Sequence, residues 1–422
     1  MSTTDTHIHL ENKTISRHFF FFLWIMYAVV YMTKNCYSAA TAAIVAEGIL
    51  TKTQTGLITT VFYLIYTPLQ ILGGVFADKY NPERMVKIGL IGSGIANAVI
   101  FFNQNYYVML GVWAFNAVIQ FPLWPSVFKI MTSQLVRSDR KTMVFLMSFS
   151  SSAGLLLAYL VAAFIPKWQY NFLVSALLLF SFALVLQFYY NKYVETKMLP
   201  DKEPVQKEET QAEEQTKPQI STGKLFLISG FFAMFPVVLL RSTIEQGIKV
   251  LAPTMLMESY ENVSPMIGNL MGMLPIVVGL AGILISRLLC PKYIRNEIGG
   301  YVIFMLITLP FLIVLSFIGV VPISVALVSM SMITMLLTTT HLFGSYLNMS
   351  FVKYGKNGLA AGMSNAAGSF GIVLYSYCFS FVADNFGWSA VIVLSVVLLV
   401  VAIVFGCIAF LQYRRFRKKE NE

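Results

Sequence analysis

The sequence predicts an all-α, polytopic membrane protein with twelve transmembrane helices in two six-helix, pseudo-symmetric bundles. Three observations carry that expectation. The 422-residue chain is 57% hydrophobic and 12% charged, with a mean hydropathy of +0.70, which leaves too little polar surface to face water all round. Apolar runs of about 20 residues, the length that crosses roughly 30 Å of hydrocarbon, recur about twelve times. Between the sixth and seventh the chain turns to ETKMLPDKEPVQKEETQAEEQTKPQI, which buries too little surface to fold alone and reads as a flexible linker.

The elements follow in order. Residues 1–17 are polar and lack the short apolar core and small-residue cleavage site of a signal peptide, so the first helix is expected to stay in the mature protein. Spans are expected near 18–46, 55–77, 85–104, 107–135, 142–165 and 170–191, making a bundle over 18–191. The linker covers 192–223. A second bundle over 224–412 takes spans near 225–256, 264–289, 298–318, 322–350, 357–382 and 388–412, and a basic tail occupies 413–422. Of the 30 Lys and Arg, only Lys52 and Lys167 fall in loops on one side of this layout, while Lys34, Lys129, Arg241 and Lys249 lie well inside spans, more than two residues from either end. The remaining 24 share the other side, which the positive-inside rule makes cytoplasmic together with both termini. An odd number of spans breaks this partition. The short loops suit a multi-pass protein of a bacterial cytoplasmic membrane, with a monomer as the default. The net charge of +10 follows from the same asymmetry and indicates lipid contact rather than a nucleic-acid partner.

Enzyme chemistry finds no footing. His7 and His9 precede the first span and His18 stands at its very start, leaving His341 as the one histidine well inside the membrane, so no Ser/His/Asp triad assembles. Cys36, Cys290, Cys378 and Cys407 lie in or at the ends of spans without paired or CxxC spacing, which argues against a disulfide framework or a metal site. No GxxxxGK[ST] loop appears, and no cofactor is implied.

The charges inside the spans point elsewhere. Each of Lys34, Arg241, Glu245 and Lys249 costs at least ~2.5–3.5 kcal/mol at a bilayer centre, so they are expected to line an enclosed path or pocket. Lys34 stands 17 residues after Arg17, and Arg241 stands 17 residues after Lys224. At 1.5 Å per residue both cations sit about 25 Å along their helices, a depth that suits one anion held from both halves; snorkelling toward the head-groups is the plainer alternative. Arg241, Glu245 and Lys249 repeat at i, i+4 and i+8 and share a helix face. Glu245 either carries a proton or yields Arg241 to substrate, or else forms a permanent ion pair. Lys129 suits snorkelling, and His341 either titrates near neutral pH or makes a helix–helix hydrogen bond. Ser148 and Ser150 to Ser152, ahead of Gly154, either line a pocket or permit close packing. Tyr31, Tyr37, Tyr63, Tyr66 and Gln70 put polar tips at spacings compatible with a cavity face.

Four segments carry a family resemblance. They are Tyr31-Met32-Thr33-Lys34-Asn35; Gly73-Gly74 through Asp78-Lys79-Tyr80-Asn81-Pro82 to Arg84; Trp124-Pro125 through Lys129 to Asp139-Arg140; and Ala360-Ala361-Gly362 with Asp384-Asn385-Phe386-Gly387-Trp388. The second resembles the loop signature of the major facilitator superfamily, and the set resembles its organophosphate:phosphate antiporters, which include the glycerol phosphate and hexose phosphate transporters. The resemblance implies the major facilitator fold and a conformational latch at Gly74, Asp78, Arg84, Asp139 and Arg140. It also implies a substrate site at Tyr31, Thr33, Lys34, Asn35, Ser151 and Arg241, to which the cavity-face spacing adds Tyr66. Departures matter too. The span-one arginine of phosphate-binding members is Thr33 here, and their span-five histidine falls on Ser151. The second arginine aligns with Arg241 when read forward from Lys224 and with Glu245 when read back from Pro253. In the second half the loop from Gly282 through Arg287, Lys292 and Arg295 lacks its acidic residue. Lysine offers a point charge where arginine offers a planar fork, so a carboxylate is as fitting as a phosphate ester.

The expected function is secondary active transport of a small organic anion, phosphate or carboxylate, by alternating access. Lys34 and Arg241 bind it, with Glu245, Lys249 and His341 as the charge relay and a proton or a counter-transported anion as coupling ion. The rivals are an exporter of drugs or amphiphiles, which predicts an apolar pocket, and a membrane sensor on a transporter-like fold.

Overall fold

The computed structural model describes residues 8–10, 12–136, 139–147, 149–165, 167–189, 191, 198–200, 221–289, 296–351, 354 and 356–421. Most of the linker, together with Cys290, Lys292 and Arg295, lies outside them. Helices dominate: α1 Lys13–Ala46, α2 Lys52–Lys79, α3 Pro82–Phe102, α4 Tyr106–Gln120, α5 Leu123–Gln134, α6 Arg140–Met147, α7 Ser150–Phe164 and α8 Gln169–Tyr189 precede the linker. After it come α9 Thr222–Ile228, α10 Phe231–Ser259, α11 Pro265–Leu289, α12 Glu297–Leu315, α13 Ile323–Met349 and α14 Asn357–Asn421. Two three-residue strands, β1 Ile8–Leu10 and β2 Met198–Pro200, pair antiparallel, with β1 against α5.

Local chemistry sets the boundaries. Asn81 caps α3 by accepting from the Arg84 amide, with Pro82 in the first turn, where its missing N–H costs nothing. Asn105 and Asn296 cap α4 and α12 in the same way. The expected fourth span divides into α4 and α5 at Phe121-Pro122, because Pro122 has no amide to continue the ladder. The fifth divides into α6 and α7 around Phe149, and the seventh into α9 and α10 at Gly230. In α14 the chain turns at Gly387, whose φ of 79° favours a residue without Cβ; two spans meet there.

Among the described residues nine helical stretches are long and apolar enough to cross a membrane, the last of them Leu359–Lys418. That last stretch bends at Gly387. With it counted twice, and with α2 and the shorter apolar α7 added, the helices stand at the twelve expected positions.

The chain divides into two compact units. Unit 1 takes residues 1–44 and 61–206, and unit 2 takes 45–60 and 207–422. In unit 1 the core is built on Phe19, Leu23, Leu90, Val127, Met131 and Leu179, which ties α1, α3, α5 and α8 together. In unit 2, α10 packs along α14 while α13 contacts α11 and α12, around Val237, Met305, Leu337, Phe379 and Leu399.

Candidate functional site

In unit 2 the i, i+4, i+8 spacing on α10 does what it predicts. Arg241 and Glu245 are 3% and 1% exposed. The Arg241 Nη1 donates to Glu245 Oε2 and, at 3.3 Å, to the Leu337 carbonyl. Lys249 Nζ reaches Glu245 Oε1 at 2.5 Å. From α13 the Thr338 hydroxyl donates to Glu245 Oε1 at 2.8 Å and accepts from Lys249 at 3.1 Å. His341 Nε2 stands 3.1 Å from Glu245 Oε2, its side chain half exposed. One carboxylate therefore joins two cations, an imidazole and a hydroxyl, which meets the requirement that buried charge be paired. Arg241 Nε is the exception, buried with no hydrogen-bond partner among the described residues.

Arg241 also borders a cavity of about 560 Å³ that His341 and Tyr301 share. Gln246, Asn348 and Asn365 add carboxamides to its wall. A buried donor without a partner costs free energy until an acceptor reaches it, and here the donor is a guanidinium suited to planar oxyanions. The wall can thus bind an anion at Arg241 and hydrogen-bond polar groups beyond it. Sequence reasoning missed Gln246, Tyr301, Asn348 and Asn365; polar residues in apolar spans were the available signal.

Unit 1 holds Lys34 on α1. Its ammonium lies over four rings, 4.0 Å from the centroid of Tyr66, 4.9 Å from Tyr63, 5.1 Å from Phe62 and 5.6 Å from Tyr31. Asn35 donates to the Tyr31 carbonyl at 2.7 Å, and Thr33, fully buried, donates to the Val30 carbonyl at 2.9 Å. Both side chains are thereby turned onto α1. Tyr31 packs edge-on against Tyr27. Ser151 sits half-buried in the first turn of α7, the helix whose Gly154 meets Ala28 and Tyr31 of α1.

Of the expected latch residues, Asp139 and Arg84 are described with their side chains. Asp139 accepts from Arg17 Nε at 3.1 Å, while Arg84 gives its amide to the α3 cap and leaves its side chain exposed. Gly74 and Asp78 belong to α2 and Arg140 opens α6, but their side-chain surroundings lie outside the described residues. A different charge cluster forms in unit 2. Lys52 pairs with Glu258 at 2.7 Å and Asp384 at 3.7 Å, and Asp384 accepts the amides of Lys52 and Thr53 at the start of α2. Trp388 donates to Glu258 at 2.9 Å. The Asp384 to Trp388 segment is thus an anchor for the first turn of α2.

Comparison with known proteins adds the following. The family profile described as Major Facilitator Superfamily matches residues 23–356. A stretch of 187 residues, 43% of this chain and 42% of the other, is 29% identical to the "Membrane sensor protein UhpC" of Salmonella typhimurium. The "Probable hexose phosphate transport protein" of Chlamydia pneumoniae is 28% identical over 172 residues, 40% of this chain and 37% of that one. "Sugar phosphate exchanger 3" of Xenopus laevis is 28% identical over 143 residues, 32% and 28% of the two chains. The chain spans about two fifths or less of the length of these curated relatives. In fold it resembles a bacterial homologue of the human lysosomal transporter Spinster, with a TM-score of 0.78 at 14% identity over 96% of this chain and 98% of that one. The nucleoside transporter NupG gives 0.71 at 14% identity over 94% and 99%.

Proposed function

Since the chain belongs to the major facilitator superfamily, as a multi-pass membrane protein with that fold, we propose that it is a secondary active transporter of a small organic anion. An organic phosphate is the preferred substrate, consistent with relatives named for hexose phosphate and sugar phosphate. The observation that carries the reading is Arg241, a buried guanidinium that borders a cavity and whose Nε has no hydrogen-bond partner among the described residues.

Lys34 and Arg241 are the two cations that we assign to anion binding. Glu245 occupies Arg241 when the anion is absent and is displaced toward Lys249, Thr338 and His341 when it binds, so the Arg241 charge is never left unpaired. This competition lets one carboxylate serve either coupling scheme, proton symport or exchange against a second anion. The protein acts as a monomer in a bacterial cytoplasmic membrane with both termini inside. The fixed charges on α10 and the amide-rich wall disfavour export of apolar drugs.

A second reading has a specific support. Two of the curated relatives, from Salmonella typhimurium and Escherichia coli, are named membrane sensors, and a sensor uses the same anion site to report occupancy.

Thermal melting of the purified protein with inorganic phosphate, hexose phosphates, succinate and cationic drugs tests the site, because a ligand of the folded state raises stability by mass action. The expected result is stabilisation by phosphate esters that is lost in Arg241→Lys and Lys34→Ala. Stabilisation by cationic drugs alone overturns the reading. Uptake of the stabilising ester into proteoliposomes then separates transporter from sensor.

A further inference from the structure

The four rings around Lys34 come from two helices. On α2, Phe62, Tyr63 and Tyr66 fall within one turn, and on α1, Tyr31 lies three residues before Lys34, so helical spacing places all of them on the ammonium. Every centroid is within the roughly 6 Å at which a ring face attracts a cation. Among the described residues no carboxylate stands within ion-pair distance of Lys34.

Arg241 and Lys34 are therefore held in different ways. Glu245 neutralises Arg241, whereas rings attract Lys34 through their quadrupoles and supply no opposite charge. A lysine is the side chain suited to this, with a compact charge on a four-carbon stem that can swing off the rings.

We propose that the rings of Tyr31, Phe62, Tyr63 and Tyr66 are a resting site from which an incoming anion withdraws the Lys34 ammonium. Tyr66, nearest at 4.0 Å, is the positioning residue that sets how tightly the anion is held. The proposal rests on the reading of Lys34 as part of the anion site and adds to it a sign: the rings compete with the ligand. A weak ligand leaves Lys34 on the rings, and only an anion with enough charge density draws it away. Selection then operates against neutral solutes of the same shape, without any group that clashes with them.

The sign is measurable. Calorimetric titration of the protein in lipid nanodiscs with inorganic phosphate, and separately with succinate, is run on the parent, Tyr66→Leu, Tyr66→Phe and Lys34→Ala. Loss of one ring face is expected to tighten anion binding by roughly three- to tenfold, and Tyr66→Phe, which restores a ring, returns the affinity toward that of the parent. Lys34→Ala abolishes binding, alone and combined with Tyr66→Leu. Tyr66→Leu binding that is weaker than or equal to the parent's, with Lys34→Ala still inactive, overturns the resting site and leaves the anion site standing. Parent-like binding by Lys34→Ala, or no binding of either anion to the parent, overturns the anion reading of Lys34 and this inference with it. A measurement on the parent sequence covers the case in which Tyr66→Leu fails to fold. The lysines are ¹³C-methylated, and the Lys34 signal is assigned by its loss in Lys34→Arg. That signal is expected upfield under the ring currents of the cage and should move to the ordinary lysine position when phosphate is added; a signal at the ordinary position before phosphate overturns the proposal.

Discussion

Glu245 stands at the centre of the α10 cluster, since it meets Arg241, Lys249, His341 and Thr338. Replacing it by Gln keeps the shape but leaves two cations sharing one amide oxygen. Breaking a buried pair in this way costs about 3–5 kcal/mol when the partner charge is left uncompensated, and Lys249, 13% exposed, relieves part of that. The melting temperature of Glu245→Gln should fall while its affinity for inorganic phosphate rises, because Arg241 no longer has a competing acceptor. The two changes run in opposite directions, which a purely structural carboxylate does not produce; melting and titration of the same preparation check both. That Arg241, Glu245 and Lys249 belong together was legible in the sequence, because charge in an apolar run is costly and a period of four fixes a face. Gln246, Asn348 and Asn365 were not legible. An amide inside a span suits helix packing as well as a cavity wall, and which amides reach the cavity depends on the rotation of α13 and α14, set by packing that no local pattern encodes.

At the scale of elements, α2 has an unusual start. Its first amides, on Lys52 and Thr53, donate to Asp384, more than 330 residues away, a capping role that a side chain of the same helix usually fills. Two turns further on, the Thr60 hydroxyl meets that of Ser376 at 2.7 Å. Asp384→Ala leaves these amides without their acceptor and Lys52 with Glu258 alone, and should cost ~0.5–2 kcal/mol by the cap alone, read as a lowered melting temperature. The pair Thr60→Cys and Ser376→Cys, in a background lacking Cys378, should join under mild oxidation, since hydroxyls at that separation place sulfurs within reach of a bond of about 2.05 Å. Failure to cross-link argues against the anchor. In unit 1, a Cβ on Gly154 would stand 2.4 Å from the Ala28 carbonyl. Gly154→Val should therefore force α7 off α1 at a cost of about 1–3 kcal/mol, visible in the same melt. The serines before Gly154 could be read from sequence as packing or as pocket; Ser150, turned onto the Met147 carbonyl, and Gly154 side with packing. The breaks at Phe121-Pro122, Phe149 and Gly230 escaped a reading by hydropathy, because a bilayer-length apolar run has the same composition whether its helix is straight or bent.

For the whole molecule, the number of spans was legible because hydrophobic thickness is a property of composition, and the fold follows from twelve such spans parted by one charged linker. Side of membrane is a separate inference, carried by 24 of 30 basic residues on one face of that layout. Positive charge near a span end resists translocation, while acidic residues contribute little, so the linker's glutamates do not cancel its lysines. The tail makes the same case in compact form. Arg414, Arg415, Arg417 and Lys418 continue α14 beyond its apolar stretch, with Arg417 3.8 Å from Glu297 at the start of α12, where anionic head-groups on the cytoplasmic side would favour them by about 1 kcal/mol per charge. The whole-chain prediction is that a reporter fused after Glu422, or inserted in the linker, is active only in the cytoplasm, and that one inserted beside Lys167 is active only outside. A periplasmic signal from the tail with a cytoplasmic signal from the linker makes the number of spans between them odd. Both signals periplasmic keep twelve spans and invert the chain, which would leave the fold intact and refute the orientation alone.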